Sequence, residues 1–225
     1  MARVKEPADD RGDPRDQQCG IMRVLIACES SGTVRESFRA LGHDAWSCDL
    51  LPADDGSPYH YRGDCLPVIA QGWALVIAHP PCTHLAVSGA RWFAQKRADG
   101  WQQQGIALFM SVVEACEKHA NAWAIENPIG IMSRLYRKPD QIIQPWQHGH
   151  PETKATCLWL RWLPSLIPTN DCKAQMLALP PAQRNRIHYC PPGPDRWKIR
   201  SKTCQGIADA MAAQWGLASL TLGAS

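Results

Sequence analysis

The chain has 225 residues, 45% of them hydrophobic, which is enough to bury a sound core in one domain. No apolar run approaches the length needed to span a bilayer, which excludes a membrane-spanning helix and leads us to expect a soluble globular protein with no membrane partner. The net charge of +3 conceals an asymmetry, since residues 1–82 carry 8 Lys and Arg against 12 Asp and Glu whereas residues 83–225 carry 16 against 9. A basic second part suits an acidic ligand or an ordinary solvated surface. The ten cysteines are scattered, form no CxxC pair and follow no secretion signal, so free thiols in a reducing cytoplasm are expected. Cys172, His188, Cys190 and Cys204 hold ligand chemistry for zinc, but their spacing fits no finger and no metal is expected.

Residues 1–21 are charged and proline-bearing without an apolar core and are expected to form a disordered or extended leader. The folded domain is expected over 22–216, with 217–225 as a tail. MRVLIACE (22–29) is a β-branched apolar run and predicts the first strand. SSGTVRESFRALG follows with a Ser/Gly turn, then Val34, Phe38 and Leu41 at helical spacing, and Gly42 as the stop. HDAWSCD predicts the second strand, ending at Asp49. Strand, tight turn, helix and strand open a nucleotide-binding α/β unit, and an acidic residue closing the second strand is where such folds hold the two hydroxyls of a cofactor ribose. Glu29, just before the turn, would repel a pyrophosphate. That argues for a cofactor whose tail carries an ammonium group, as S-adenosylmethionine (SAM) does.

Residues 51–64 read as loop, ending at Asp64 within RGDC. WALVIA (73–78) predicts the third strand, which stops at a double proline because proline cannot donate to a ladder and holds the preceding residue extended. Cys82 then sits on a proline-stiffened loop beyond a strand's carboxyl end, the edge where open α/β sheets collect ligands. It is a candidate nucleophile where a neighbour lowers its pKa or protonates its target, and otherwise a packing thiol. The loop runs on through Arg91, Lys96 and Arg97, a mixture suited to a mobile segment that closes on a polyanion. Ile106, Phe109, Val113 and Cys116 predict a helix from Gly105 to Lys118, and ANAWAIENP (120–128) predicts the fourth strand, ending in Glu126, Asn127 and Pro128. Strands joined by one right-handed helical crossover lie in the same parallel sheet, usually side by side, so Cys82 and Glu126 can face one site.

In this order the motifs resemble those of the DNA cytosine carbon-5 methyltransferases, and more closely a compact phage-type branch of that family. The likeness covers most of 22–216. PPC, with Gly89 and Arg91 seven and nine residues after the cysteine, is similar to the family's nucleophile loop, PPCQ followed by FS, G and R. IENP is similar to its ENV motif, and Asp49 with the Gly63–Asp64 pair to its cofactor positions at ribose and adenine. GHPETKATCLWL (149–160) resembles the GxPQxRxR strand, with Lys154 at the first arginine position and Thr156 at the second, while QRNR (183–186) offers an alternative match through Arg184 and Arg186. RSKTCQGIADAMA (200–212) resembles the late motif and its closing helix. The chain departs from the family in Thr83, in Glu29 and Ser31 where glycines are usual, and in Lys154, which is not equivalent to arginine in bidentate contacts.

The resemblance implies an α/β, Rossmann-like SAM-dependent methyltransferase fold with a mostly parallel central sheet and a small irregular C-terminal insert at 161–199, where the family carries its target-recognition domain. It implies transfer of a methyl group from SAM to carbon 5 of cytosine in double-stranded DNA. The sequence does not fix the oligomeric state, and a monomer is favoured. Cys82 would add to carbon 6 of a flipped base, and Glu126 would hold N3 and the exocyclic amine, which requires a raised pKa or a shared proton. Asn127 would fix that carboxylate and the loop, and Lys154 would take the arginine role. Ala27, Glu29, Ser31, Gly32 and Pro80 would join Asp49 and Asp64 around SAM. Thr83, Ser88, Arg91, Arg134, Arg184 and Arg186 would meet DNA. Trp146, Trp159, Trp162 and Trp197 stand among cations, for stacking or for core, and for Trp159 on a strand core is expected. Three alternatives stand beside this reading: an amino-group methyltransferase, disfavoured by His79 before the proline pair and Cys82 after it, a lapsed enzyme that keeps the fold and binds DNA, and action on RNA or free nucleotides, of which the basic second part favours a polymer. A short insert implies a short recognition sequence or a partner that supplies specificity.

Overall fold

A computed structural model describes residues 20–222, with side chains to residue 216. The leader expected at 1–21 lies outside the described residues except for Gly20 and Ile21. Seven strands form one sheet: β1 (Arg23–Ala27), β2 (Asp44–Asp49), β3 (His60–Arg62), β4 (Trp73–Ala78), β5 (Ala120–Pro128), β6 (Gln141–Ile143) and β7 (Thr156–Arg161). Their order is β3-β2-β1-β4-β5-β7-β6. The first five pair in parallel, and β7 runs antiparallel to both β5 and β6. The protein is therefore α/β with a mostly parallel mixed sheet, compatible with a Rossmann-like fold.

Near-continuous apolar runs form the central strands because helices cover both faces. Val24 and Ile26 of β1 pack with Phe38 of α1 (Thr33–Ala40) and Met211 of α10 (Gln205–Leu222). Leu25 and Ala27 point the other way, with Ile69 of α2 (Cys65–Ile69) and Phe109 of α4 (Trp101–His119). Side chains alternate across a strand, so a run apolar at every position feeds two cores. No described helix is long and apolar enough to cross a membrane.

The structure corrects several expectations. The stretch read as loop at 51–64 contains β3, which is only three residues long and is placed by pairing with Ser47–Asp49 and by Trp46 resting on Tyr61 at 5.0 Å between ring centroids. The strands of 73–78 and 120–128 are consequently fourth and fifth. Helix α2 escaped notice because five residues show no periodicity. Helix α4 begins at Trp101 rather than Gly105, since its first turn buries a polar residue, Gln102, which donates to the His84 carbonyl at 3.2 Å. Leu41 is exposed, because α1 ends one residue earlier. The segment after Cys82 is a 3-10 turn over Val87–Trp92 followed by α3 (Phe93–Ala98), not an open loop.

Farther on, α5 (Met132–Leu135) precedes the outer strands. The insert expected to be irregular is a string of short helices: α6 (Lys173–Ala178), α7 (Pro181–Arg184), α8 (Arg186–Tyr189) and α9 (Arg196–Ser201). Helix α10 continues to Leu222, past the expected domain end at 216. Phe38 is fully buried between α10 and the sheet. Phe38→Ala is expected to lower the unfolding free energy by about 3–5 kcal/mol in urea denaturation; a loss below about 1 kcal/mol would show that this face is not closely packed.

Candidate active site

The carboxyl ends of β1, β2, β4 and β5 open onto one cleft of about 1110 Å³. Glu29 and Asp49 lie beyond β1 and at the end of β2, His79 to Thr83 lie beyond β4, and Glu126 and Asn127 lie at the end of β5. The 3-10 turn brings Ser88 and Arg91, the segment before β7 brings Lys154, and α9 lies across the opposite wall.

On the β1 side the chain turns sharply through Cys28, whose φ of 59° lies in the left-handed region that side chains seldom adopt. The turn carries Glu29 into the fold. Its Oε1 accepts hydrogen bonds from the Ser31 hydroxyl and the Val34 N–H, both at 2.9 Å, and so caps α1. Its Oε2 is buried with no partner. Gly32 follows at φ 69°, and a Cβ there would strike the buried guanidinium of Arg35. Gly32 shapes the turn and does not line the cleft. Ser31, Asp49 and Pro80 do line it. Asp49 uses Oδ1 to accept from the Leu51 N–H at 2.9 Å.

Ala27 and Asp64 do not line the cleft. The Ala27 carbonyl accepts from the His79 N–H at 2.9 Å, and the Asp64 carboxylate caps α2 by accepting from the Leu66 N–H at 3.0 Å.

On the β4–β5 side Asn127 donates from Nδ2 to the Pro80 carbonyl at 2.7 Å. It thereby ties the loop of Cys82 to the neighbouring strand. It holds the loop, while the Glu126 carboxylate is held by another residue: His79 Nδ1 lies 3.1 Å from Glu126 Oε2. An ionised carboxylate only accepts, so Nδ1 carries the hydrogen. Both side chains are largely buried. Among the described residues three that line the cleft carry a buried polar atom without a partner: Glu29 Oε2 beyond β1, His79 Nε2 beyond β4 and Asn127 Oδ1 near the end of β5. Buried polar atoms are nearly always paired, so unpaired ones converging on a cleft point to a polar ligand.

Burial pushes the Glu126 carboxyl up, but the hydrogen bond and charge of His79, the Lys154 ammonium and the Thr156 hydroxyl together hold it below the ordinary carboxylate range. Of the two conditions expected of Glu126, a raised pKa or a shared proton, the free protein does not show the first. Burial, and next the Glu126 charge, push the Cys82 thiol up, while Lys154 and Arg200 oppose them. At neutral pH Cys82 is a thiol, and neutralising Glu126 favours its thiolate.

Lys154 donates to the Lys202 carbonyl at 3.0 Å and thereby holds the end of α9. Thr83, Ser88 and Arg91 line the cleft, but Arg134, Arg184 and Arg186 do not. Arg186 pairs with the buried Glu152, and Arg184 donates to the Leu177 carbonyl at 3.3 Å. Of the two matches to the arginine motif, it is Lys154 that reaches the site.

Sequence reasoning passed over His79 as a site residue, although a titratable side chain at a strand end before two prolines was the available signal. It also missed α9 as the far wall. Lys198 pairs with Asp54 at 2.8 Å and Arg200 donates to the Ser88 hydroxyl at 3.4 Å, so the helix links the loop after β2 to the loop of Cys82. Trp159 is core, as expected, whereas Trp162 and Trp197 are exposed and Trp197 lines the cleft. Cys172 and Cys204 donate to the Trp146 carbonyl and to Glu152, and among the described residues no group is arranged to hold a metal ion.

No protein-family model and no curated protein matches the chain. The chemistry of the cleft itself is a shielded thiol, a histidine–carboxylate pair, an unpaired acid beside a strand-to-helix turn, and cations on the walls. Iodoacetamide is expected to alkylate Cys82 slowly at neutral pH, faster in Glu126→Gln, which removes the opposing negative charge, and more slowly in Lys154→Met, read by peptide mass spectrometry. Equal rates in all three would show that these charges do not reach the thiol.

Proposed function

We propose that the chain is a SAM-dependent DNA cytosine carbon-5 methyltransferase. One observation carries the reading: a loop cysteine, Cys82, and a strand-end glutamate, Glu126, share a single cleft with Glu29 and Asp49 at the neighbouring strand ends. A mostly parallel sheet with one reversed strand beside β5, the resemblance of the PPC and ENP motifs to that family, and the order in which they occur all support it.

The residues present fit SAM. The unpaired Glu29 Oε2 suits an ammonium group, and Asp49 has acceptor capacity for ribose hydroxyls. The same acid at the turn disfavours a phosphate-bearing cofactor. When bound, SAM supplies an electrophilic methyl group on a sulfonium.

Carbon 5 of cytosine is a weak nucleophile. Addition of the Cys82 thiolate to carbon 6 turns the ring into an enamine that can accept the methyl group at carbon 5. Glu126 would meet N3 and the exocyclic amine, accepting a hydrogen bond from the amine and, once protonated, donating to N3 as negative charge develops there. Once its own charge is shared with the base, the Cys82 thiolate is easier to form, so substrate binding and nucleophile activation reinforce one another. Asn127 keeps the loop at the strand end throughout. After transfer the carbon 5 proton is removed and Cys82 leaves. The base must be flipped from the duplex at a cost of a few kcal/mol. Arg91, Arg196, Lys198 and Arg200 around the mouth, with exposed Trp92 and Trp197, suit phosphate contacts and stacking.

The raised Cys82 thiol favours a second reading, a methyltransferase-fold DNA-binding protein that no longer turns over. The two are separated by nucleoside digestion and mass spectrometry after incubation with mixed-sequence duplex DNA and SAM. The enzyme is expected to yield 5-methylcytosine and Cys82→Ser to yield none while still binding DNA; methylation on an amino nitrogen, or retained activity in Cys82→Ser, would remove Cys82 from the mechanism. Glu29→Gln and Asp49→Ala are each expected to weaken SAM binding about tenfold or more in calorimetry, the equivalent of one charge-assisted hydrogen bond. Unchanged affinity would place the cofactor elsewhere.

A further inference from the structure

The His79–Glu126 pair is a departure with a consequence for the proton inventory of the site. N3 of a neutral cytosine is a hydrogen-bond acceptor, and an ionised carboxylate has no hydrogen to offer it. Glu126 is nevertheless held ionised in the free protein by its neighbours. The groups facing it are His79 beyond β4, Cys82 on the loop, Lys154 before β7, and Thr156 and Cys157 on β7. Lys154 serves the end of α9 and the Cys82 thiol is the nucleophile. Thr156 donates and accepts but stores no proton. His79 alone combines a direct contact with Glu126, at 3.1 Å, and a second ring nitrogen that is buried without a partner.

We infer that His79 is a positioning residue for Glu126, and that the two side chains share the one proton that Glu126 presents to N3 of the target base. The inference rests on the methyltransferase reading above. In the loaded pair the imidazolium carries hydrogens on Nδ1 and Nε2 and Glu126 is ionised. As the Cys82 thiolate, its proton released to solvent, bonds through sulfur to carbon 6, the C5=C6 electron pair moves to form C4=C5 and the C4=N3 pair moves onto N3. The Nδ1 proton of His79 passes to Glu126 and from Glu126 to N3, which leaves Glu126 ionised and a neutral imidazole with its hydrogen on Nε2. When solvent water takes the C5–H proton and the sulfur leaves as a thiolate that regains its proton from solvent, the N3 proton returns through Glu126 to Nδ1. The proton, like the thiol, is regenerated in each turnover.

His79→Gln separates the two properties of the residue, because its amide N–H can still reach the carboxylate but cannot store a proton. The variant is expected to bind SAM as the wild type does in calorimetry, which establishes that it folds. At neutral pH its kcat is expected to fall about 100-fold, the scale of one general acid, with KM for DNA changed less than about threefold. The alkaline limb of its kcat profile is expected to move to lower pH, because Glu126 alone must then hold the proton. Independently of turnover, the 15N-histidine spectrum of the free wild-type protein is expected to show a slowly exchanging Nδ1 proton that is lost in Glu126→Gln.

Wild-type kcat and an unshifted pH profile in His79→Gln would overturn the inference while leaving the methyltransferase reading in place. Absence of the Nδ1 proton would overturn the pair itself. A wild-type protein that shows this proton, binds SAM and DNA and makes no 5-methylcytosine would overturn the methyltransferase reading, and the proton-sharing role with it.

Discussion

The parallel pairing of β4 with β5 is the constraint on which the rest of the cleft depends. Ala78 lies opposite Ile125, so the loop that leaves β4 after Ala78 starts level with Glu126 and Asn127, which stay in β5 through their pairing with β7. Proline prevents the first strand from continuing, and the Asn127 amide then holds the Pro80 carbonyl so that the loop cannot swing away from β5. Bonds from Val87 to the Ile129 carbonyl and from Ile131 to the Leu85 carbonyl fasten the far side of that loop to the segment beyond β5. A Cβ on Gly130 would stand 2.5 Å from the Leu85 carbonyl oxygen, so this close passage of two backbones requires glycine. The loop is therefore anchored on both sides of Cys82.

That anchoring places groups of opposing electrostatic effect around one thiol. Glu126 and burial stabilise the neutral form of Cys82, and Lys154 and Arg200 stabilise the thiolate. The balance favours the thiol in the free protein, and a ligand that neutralises Glu126 removes one of the two effects that favour it. The carboxylate is itself held by a histidine on the same loop as the cysteine. A thiol raised by burial and by a neighbouring carboxylate is slow to react with electrophiles.

The first turn shows a similar economy. Glu29 occupies a place where a glycine is usual in the resembling family, and the backbone accommodates it through a left-handed Cys28 and a left-handed Gly32 on either side. One oxygen of Glu29 caps α1 and the other is unpaired. The departure from a glycine-rich turn is thus a change in what the turn can hold: a helix N-terminus already filled by a carboxylate has no room for a phosphate, while the free oxygen is suited to a cation.

The strands β1, β2, β4 and β5, the helices α1 and α4, and the placement of Cys82 and Glu126 at adjacent strand ends were legible from the sequence alone, because long apolar runs, helical spacing and a double proline act locally and one helical crossover leaves few topologies. β3 and α2 were not, since segments of three and five residues are decided by their neighbours and by a single cap. The sequence likewise showed a basic, tryptophan-bearing RWKIR segment but not that it becomes the wall opposite Cys82, a position set by contacts to Asp54 and Ser88 more than a hundred residues away. Only the tertiary structure decided that Lys154 reaches the site while Arg184 and Arg186 do not, that Asp64 caps a helix, and that His79 faces Glu126. Residue type and spacing determine which chemistry a chain can carry, but which titratable groups meet depends on long-range packing, and packing is not written in any local run of residues.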